Sequence, residues 1–240
     1  MTTKIIIIGG GKGGVGKTLV SMATLDALMG NNKSVVAIET DDTNPDLFKA
    51  VNGTLPVEIC NLDDQSGYIR LGTLLERGTD SAFVVNTAAR ATSGLIEHSG
   101  LLADVVRELG RELIMLWPVN RQRDSLELLK TFLDKAKGYT EIYAVINTYF
   151  GMAEKFSRSF APLTEDEQKD TTRKPKLRER VTGTIVFPEL NDLVADKLTD
   201  NRLALWNADA SGKLSIAERS ALRQFREAAK KALEVICARP

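Results

Sequence analysis

The sequence predicts a single three-layer α/β/α domain in which helices cover both faces of a mostly parallel, twisted sheet. Short apolar runs, each suited to a strand buried on both faces, recur along the 240 residues. Helical segments separate these runs, and strand, helix, strand in this order implies right-handed crossovers between parallel strands. A glycine-rich octet, GKGGVGKT at 11–18, follows the first strand and opens the first helix.

Each element is predicted from run length and periodicity. The first strand is the run KIIIIGG from Lys4, and the first helix begins at about Gly16. Later strands are predicted at Ser34–Glu39, Ala82–Asn86, Leu113–Trp117, Glu141–Asn147 and Thr182–Phe187. A terminal helix over about 215–236 opens with a capping box, Ser215-Ile-Ala-Glu218. The polar stretch 164–180 is predicted to be a surface insertion or mobile loop within one domain over 1–240.

Composition excludes several classes of protein. Lys plus Arg and Asp plus Glu each number 32, so the formal net charge is zero. A polyanion partner would therefore have to bind a local patch of positive charge. The cysteines, Cys60 and Cys237, form no C-x-x-C pair, which suits a reducing cytosol and argues against a metal or iron–sulfur site. No run approaches the ~20 apolar residues of a membrane span, and Met1 to Ile8 is too short for a signal peptide. We therefore expect a soluble, cytoplasmic protein.

The octet has the chemistry of a phosphate-binding loop. It satisfies the pattern G-x-x-x-x-G-K-[ST], in which glycines let several backbone N–H groups turn toward an anion. Lys17 is expected to reach the β- and γ-phosphates of ATP or ADP, and the Thr18 hydroxyl to bind Mg²⁺. The expected nucleotide contacts of this segment are Gly11, Lys12, Gly13, Gly14, Val15, Gly16, Lys17, Thr18 and Leu19.

The second lysine of the octet points to a particular family. With Lys12 directly after the first glycine, the octet resembles the deviant phosphate loop of the ParA/MinD superfamily of ATPases. The resemblance implies an ATP-dependent homodimer in which Lys12 crosses the interface to the partner's nucleotide, so that Lys12 and Lys17 are catalytic. It also implies that Asp41 orients the attacking water. Glu39 stands where an aspartate is usual and is expected to serve the Mg²⁺ shell together with Thr18 and Asp41.

Two further segments extend the resemblance along nearly the whole chain. Asn147, at the end of a strand, matches the family's adenine-pairing asparagine, and Phe187-Pro188-Glu189 resembles the segment that packs beside the base. One departure is Asn86, which occupies the position of an aspartate that holds a magnesium-bound water. Because an amide carries no charge, Asn86 should hold the ion less firmly, which predicts hydrolysis that is slow or depends on a partner.

The resemblance implies a dimerising switch that positions DNA or a partner protein in plasmid segregation, stability or conjugative transfer. A protein partner such as a DNA-binding adaptor is expected, and non-specific DNA is a further candidate. Two alternatives stay open: an ATP-dependent biosynthetic enzyme of the dethiobiotin synthetase type, and an ATP-binding scaffold with little turnover, which Asn86 favours.

Three weaker patterns are compatible with ordinary structure. The segment 207–218 matches much of a calcium-binding EF-hand loop, but its low charge favours a turn and a helix cap. The segment 173–180 carries five cations and suits either DNA phosphates or a self-compensating loop, and Arg121 and Arg123 are candidates to meet a partner. The apolar face of the terminal helix suggests packing on the sheet in preference to a membrane anchor.

Overall fold

A computed structural model, which describes residues 3–78, 80–170 and 172–238, shows one sheet at the centre of the molecule. Over these residues seven strands are ordered β3-β2-β4-β1-β5-β6-β7, and every pairing is parallel. The strands are β1 (Lys4–Ile8), β2 (Val35–Glu39), β3 (Val57–Ile59), β4 (Ala82–Asn86), β5 (Glu112–Val119), β6 (Glu141–Asn147) and β7 (Gly183–Phe187). The predicted parallel sheet is confirmed.

Helices cover both faces of this sheet. They are α1 (Lys17–Gly30), α2 (Asp46–Val51), α3 (Gln65–Arg77), α4 (Thr92–Glu97), α5 (Ser99–Glu108), α6 (Arg123–Lys135), α7 (Ser157–Phe160), α8 (Glu165–Lys169), α9 (Leu177–Arg180), α10 (Asp192–Asp200) and α11 (Ile216–Cys237). One core lies between the sheet and α1, α2, α10 and α11, and a second lies between the sheet and helices that include α3, α5 and α6.

The central strand shows why the apolar runs are continuous. β1 lies between β4 and β5, and Ile5, Ile6, Ile7 and Ile8 are fully buried. Ile6 and Ile8 belong to the core on one face, whereas Ile5 and Ile7 belong to the core on the other. A central parallel strand therefore needs apolar side chains at every position, since both of its faces are covered.

Two strands differ from the sequence prediction by more than one residue. β3 is a three-residue strand at the edge of the sheet, and its partly exposed sequence VEI is too short to give a periodic signal. β5 continues to Val119, beyond the predicted end at Trp117. The extension includes Pro118, which pairs with Val145 of β6, whereas the register of β5 with β1 ends at Leu116.

The terminal helix packs against the sheet, as its apolar pattern predicts. Ser215 caps α11, and Ser215 and Glu218 form the predicted capping box. Its apolar positions Leu222, Phe225, Ala229, Leu233 and Ile236 are all buried. Within the described part of the chain, every helix is too short or too polar to cross a bilayer.

Ion pairs organise the polar stretch 164–180, in which Thr171 lies outside the described residues. Two short helices, α8 and α9, occupy it. Arg173 pairs with Glu179, Lys176 pairs with Glu167, and Arg180 contacts Asp134 on α6. Three of the five cations at 173–180 are therefore compensated within the chain, as the self-compensating interpretation predicts.

Candidate nucleotide site

The phosphate loop connects β1 to α1 and forms an open cradle. Gly16 caps α1 at φ +95°, and Gly14 has φ +75°, in the left-handed region that favours glycine. A Cβ at Gly13 or Gly14 would meet no atom within 4 Å, so space is available above these two residues. By contrast, a Cβ at Gly16 would lie 2.5 Å from Asn147 Nδ2, so the loop approaches β6 closely there.

Lys17 is folded back onto its own loop. Its Nζ donates to the carbonyl oxygen of Lys12 at 2.8 Å, and the residue is 9% exposed. Burial lowers the pKa of Lys17 to about 8, and the nearby carboxylates of Asp41 and Glu39 partly oppose this change. A buried ammonium group at the start of a helix is suited to bind phosphate oxygens, which would replace its contact with the Lys12 carbonyl.

Lys12 lies at the surface of the loop and is paired within its own chain. Its Nζ is 2.9 Å from Asp124 Oδ2 and 3.2 Å from Gln122 Oε1, both at the start of α6. The side chain of Lys12 is 31% exposed, and that of Asp124 is 72% exposed. The ion pair is therefore accessible to solvent, and a stronger anion can compete for Lys12.

Asp41 lies just beyond β2 with its carboxylate held by backbone groups. Its Oδ1 accepts hydrogen bonds from the amides of Thr43 at 3.2 Å and Asn44 at 3.1 Å. Arg90 Nη1 lies 3.6 Å from the same oxygen. The Asp41 carboxylate is thus oriented before any ligand binds.

Arg90, in the segment after β4, is a site residue that the sequence does not predict. Its guanidinium donates to both carboxylate oxygens of Asp63, at 2.8 and 2.9 Å, and to Asp42 at 3.3 Å. Hydrogen bonding to Asp63 raises the pKa of Arg90, which stays charged. Arg90 therefore links the segments that follow β2, β3 and β4.

Glu39 and Asn86, at the ends of β2 and β4, form a buried pair. Asn86 Nδ2 donates to both carboxylate oxygens of Glu39 at 3.1 Å, and Asn86 Oδ1 accepts from Ser21 Oγ at 3.0 Å. Glu39 is 1% exposed and Asn86 is 4% exposed. Burial raises the pKa of Glu39, and hydrogen bonds to its carboxylate oppose that effect. The predicted magnesium role of these residues stays a prediction, since their polar groups already contact one another.

The predicted base contacts have different environments. Asn147 Nδ2 donates to the Val15 carbonyl at 3.1 Å, and its Oδ1 accepts from the Tyr149 amide at 3.1 Å, so Asn147 braces the phosphate loop. Phe187 is fully buried and packs edge to face against Phe225 in the core. Pro188 is half-buried and Glu189 is exposed. Their contact with a base stays a prediction.

A cavity of about 600 Å³ brings the predicted phosphate and metal contacts together. Its lining includes Gly13, Gly14, Gly16, Lys17, Thr18, Asp41 and Asn86. The cavity continues between α2 and α10, where Lys49, Leu198 and Arg202 line it. The open glycine cradle fits the phosphates of a nucleotide, and the Thr18 hydroxyl and Asp41 carboxylate are the oxygen ligands that Mg²⁺ prefers.

The EF-hand-like segment is organised around its helix cap. The carboxylate of Glu218 accepts from the Ser215 amide at 2.7 Å and from Lys197 Nζ at 2.8 Å. Asn207 Oδ1 and Asp209 Oδ1 are buried without a hydrogen-bond partner, while Asp209 Oδ2 is 3.4 Å from Arg223. In the described ranges no three His, Cys, Asp or Glu side chains form a metal-binding group. The cap and the adjacent cations favour the turn interpretation.

A family of nucleotide-binding domains matches most of the chain. Residues 6–192 match the family model described as the CobQ/CobB/MinD/ParA nucleotide binding domain. The chain is 38% identical over 234 residues to Protein MobD of Acidithiobacillus ferrooxidans, covering 98% of each chain.

Two solved structures share the fold. MinD from Pyrococcus horikoshii, complexed with Mg-ADP, has a TM-score of 0.51 at 18% identity, covering 98% of this chain and 96% of that chain. The apo form of McdA from Cyanthece has a TM-score of 0.53 at 11% identity, covering 96% and 99%. The chain therefore belongs to the CobQ/CobB/MinD/ParA family of nucleotide-binding domains.

Proposed function

We propose that this protein is a cytoplasmic ATPase that dimerises when it binds ATP and that uses hydrolysis to release the dimer. The observation that carries this proposal is the cavity in which the phosphate loop, Lys17, Thr18 and Asp41 meet. Lys12 lies at the surface of the same loop, where a second subunit has access to it.

In the proposed mechanism, the loop N–H groups and Lys17 bind the β- and γ-phosphates, and Asp41 orients a water molecule toward the γ-phosphorus. The water oxygen bonds to phosphorus while the bond to the β–γ bridging oxygen breaks, giving ADP and inorganic phosphate. The Thr18 hydroxyl and the Asp41 carboxylate would hold Mg²⁺, and the bound ion would supply positive charge at the phosphate oxygens. The hydrogen bonds that Asp41 Oδ1 accepts from backbone amides at 3.1 and 3.2 Å limit how far this carboxylate has to reorient for the step.

The proposed dimer depends on Lys12. In the partner's site the Lys12 ammonium adds a positive charge near the transferring phosphate, so ATP favours the dimer and loss of the γ-phosphate loosens it. Within one chain Lys12 already has an anionic partner in Asp124, which the nucleotide has to replace.

The test is the molar mass by light scattering, with ADP and with a non-hydrolysable ATP analogue. We expect a dimer with the analogue and a monomer with ADP in the wild type, and a monomer with both in Lys12→Ala. Lys213→Ala, a change at an exposed lysine in the loop before α11, is the matched control. A mass that neither nucleotide changes contradicts the switch, and phosphate release no faster than in Lys17→Ala contradicts the ATPase.

The extension of the cavity between α2 and α10 supports one alternative, an ATP-dependent biosynthetic enzyme of the dethiobiotin synthetase type. Lys49 and Arg202 line this extension together with apolar residues, so a small anionic substrate would have charged and apolar contacts there. A protein that stays monomeric with either nucleotide, and that releases phosphate only when a small-molecule acceptor is present, would favour this enzyme over the switch. The scaffold alternative predicts nucleotide-dependent dimers with no measurable turnover.

A basic groove supports a role in which the switch positions DNA. The groove lies between α6 and the segments at 155–160 and 174–180. Its cations are Arg121, Arg123, Lys130, Lys155, Lys174, Lys176 and Arg180, and its acidic residues are Glu127 and Asp134. Arg121 and Arg123 also flank Gln122, which contacts Lys12, so a ligand in the groove would lie beside the phosphate loop.

We therefore propose contact with DNA phosphates, directly or with a DNA-binding adaptor, in plasmid segregation, stability or conjugative transfer. The test is DNA affinity measured against salt concentration with the ATP analogue present. Arg121→Ala combined with Arg123→Ala should weaken binding and lower the slope of log affinity against log salt concentration by the amount that corresponds to about two phosphate contacts. Arg107→Ala, which changes an exposed residue paired with Asp104, should leave both the affinity and the slope unchanged. Equal affinity in both variants contradicts direct binding by this groove.

A further inference from the structure

The buried pair at the ends of β2 and β4 carries a role that neither residue has alone. We propose that Glu39 is a positioning residue for Asp41, and that Asn86 is the neutral hydrogen-bond donor that the buried Glu39 carboxylate requires. This inference rests on the proposed ATPase function and assigns to Glu39 a task other than magnesium binding.

The contacts of Glu39 show what it holds. Glu39 Oε1 accepts from the backbone amide of Asp41 at 3.0 Å, and Oε2 accepts from the backbone amide of Leu47 at 3.1 Å. Asp41 is the second residue after β2, and Leu47 lies in the first turn of α2. One carboxylate therefore fixes both ends of the loop that carries the Asp41 side chain.

The length of the side chain matters for this arrangement. Glu39 is one methylene longer than an aspartate, and both of its carboxylate oxygens accept hydrogen bonds inside the protein. The residue is 1% exposed, so solvent has almost no access to its carboxylate. A buried carboxylate that accepts several hydrogen bonds serves as a fixed anchor for backbone amides.

Asn86 completes the anchor from the neighbouring strand. Its Nδ2 is 3.1 Å from each oxygen of Glu39 and supplies the side-chain donor that a carboxylate at this position could not. An aspartate at this position would place a second buried carboxylate about 3 Å from the first, and two such groups cannot both be charged at low cost. The glutamate of β2 and the asparagine of β4 therefore depend on one another.

The anchor is also connected to the helix that follows the phosphate loop. Ser21, one turn after Lys17 on α1, donates from Oγ to Asn86 Oδ1 at 3.0 Å. A continuous series of hydrogen bonds thus runs from Ser21 through Asn86 and Glu39 to the amide of Asp41. A shift of α1 that accompanies phosphate binding would be transmitted along this series to the loop of Asp41.

The test compares Glu39→Gln, Asn86→Asp and the exchanged pair Glu39→Gln/Asn86→Asp with the wild type. Glu58→Gln is the matched control, since Glu58 is an exposed glutamate on the neighbouring strand β3. Hydrogen exchange of the segment 40–48 without nucleotide reports on the two anchored amides. Affinity for fluorescent ADP and the kcat and KM for ATP are measured on the same variants.

We expect each single change to accelerate exchange of the Asp41 and Leu47 amides by about tenfold or more. We expect kcat to fall by about 10- to 100-fold while ADP affinity stays within about threefold. In the exchanged pair the new glutamine amide on β2 can donate to the new carboxylate on β4. Its kcat should therefore be about tenfold higher than the value expected if the losses in the two single variants multiplied. Glu58→Gln should match the wild type in every measurement.

Two results would overturn the inference. The first is that the hydrogen-exchange rates at 40–48 and the kcat values of Glu39→Gln and Asn86→Asp equal those of the control. The other is a higher Mg²⁺ requirement in Glu39→Gln with unchanged exchange at 40–48, which would make Glu39 a metal ligand. If the Glu39 variants do not fold, Ser21→Ala tests the first link, with faster exchange at 40–48 expected and unchanged exchange contradicting the series.

Failure of the proposed function gives a different pattern. A wild-type protein that binds ADP but does not hydrolyse ATP contradicts the ATPase. The exchange rates need no nucleotide, so they still decide whether Glu39 and Asn86 hold the loop of Asp41.

Discussion

The ammonium group of Lys12 lies 2.9 Å from the carboxylate of Asp124 on α6. Hydrogen bonding to Lys12 lowers the pKa of Asp124, which is consistent with a charged pair. In the proposed dimer the same ammonium has to reach the partner's nucleotide. The contact with Asp124 therefore competes with dimerisation.

Release of Lys12 should favour the dimer. Asp124→Asn removes the charge of the partner, and an exposed ion pair of this kind contributes only weakly to stability. Since two such pairs break per dimer, we expect the dimer with the ATP analogue to form about 2- to 30-fold more tightly, as measured by analytical ultracentrifugation. Asp104→Asn, in an exposed pair with Arg107, is the control. A weaker dimer in Asp124→Asn would show that Asp124 supports the interface.

Alanine substitutions at two glycines of the phosphate loop, Gly16 and Gly13, should have different effects on ADP affinity. Gly16→Ala introduces a side chain at φ +95° and only 2.5 Å from Asn147 Nδ2, so the loop cannot keep its conformation. We expect affinity for fluorescent ADP to fall by about 100-fold or more. Gly13→Ala places its Cβ in open space and should bind ADP within about tenfold of the wild type. Equal losses in the two variants would contradict this explanation.

Asp41 should affect turnover more than binding. Asp41→Asn keeps the size of the side chain but removes its charge, so kcat for ATP should fall by about 100-fold or more while ADP affinity stays within about threefold. Asp42→Asn tests the neighbouring carboxylate, which contacts Asn61 and Arg90. If both variants lose the same fraction of kcat, the loop as a whole and not Asp41 determines the rate.

A buried ion pair should stabilise the docking of α11. Asp26 on α1 is bonded through both oxygens to Arg226, at 2.8 Å each, and its side chain is 5% exposed. Asp26→Ala leaves Arg226 without this partner, and because Arg226 is 18% exposed we expect a loss of about 2–4 kcal/mol in the free energy of unfolding. Urea denaturation measures it, and Asp104→Ala should cost less than about 0.5 kcal/mol.

Both cysteines should be unreactive in the folded protein. Burial raises the pKa of Cys237 to about 12 and also raises the pKa of Cys60. At pH 8 a thiol of pKa about 12 is about 0.01% thiolate, and the thiolate is the nucleophile. Labelling with a thiol reagent at pH 8 should therefore be slow in the native protein and complete in denaturant. Fast labelling of Cys237 in the native state would show that the end of α11 opens.

Much of the site could be predicted from sequence because its chemistry is local. The octet 11–18 contains its glycines, lysines and threonine in one turn between a strand and a helix, so their spacing alone indicates a phosphate loop. The family predicted from Lys12 is confirmed by the match over residues 6–192. Arg90 was missed because its partners Asp41, Asp42 and Asp63 come together only when β2, β3 and β4 are adjacent.

The sequence by itself determined most of the strands, the phosphate loop and the capped terminal helix, since each depends on residues within a few positions of one another. Only the tertiary structure decided what Glu39, Asn86 and Lys12 contact. Glu39 and Asn86 are 47 residues apart and Lys12 and Asp124 are 112 residues apart. The identity of a side chain limits which partners it can have, but the packing of strands and helices determines which partner lies within hydrogen-bonding distance.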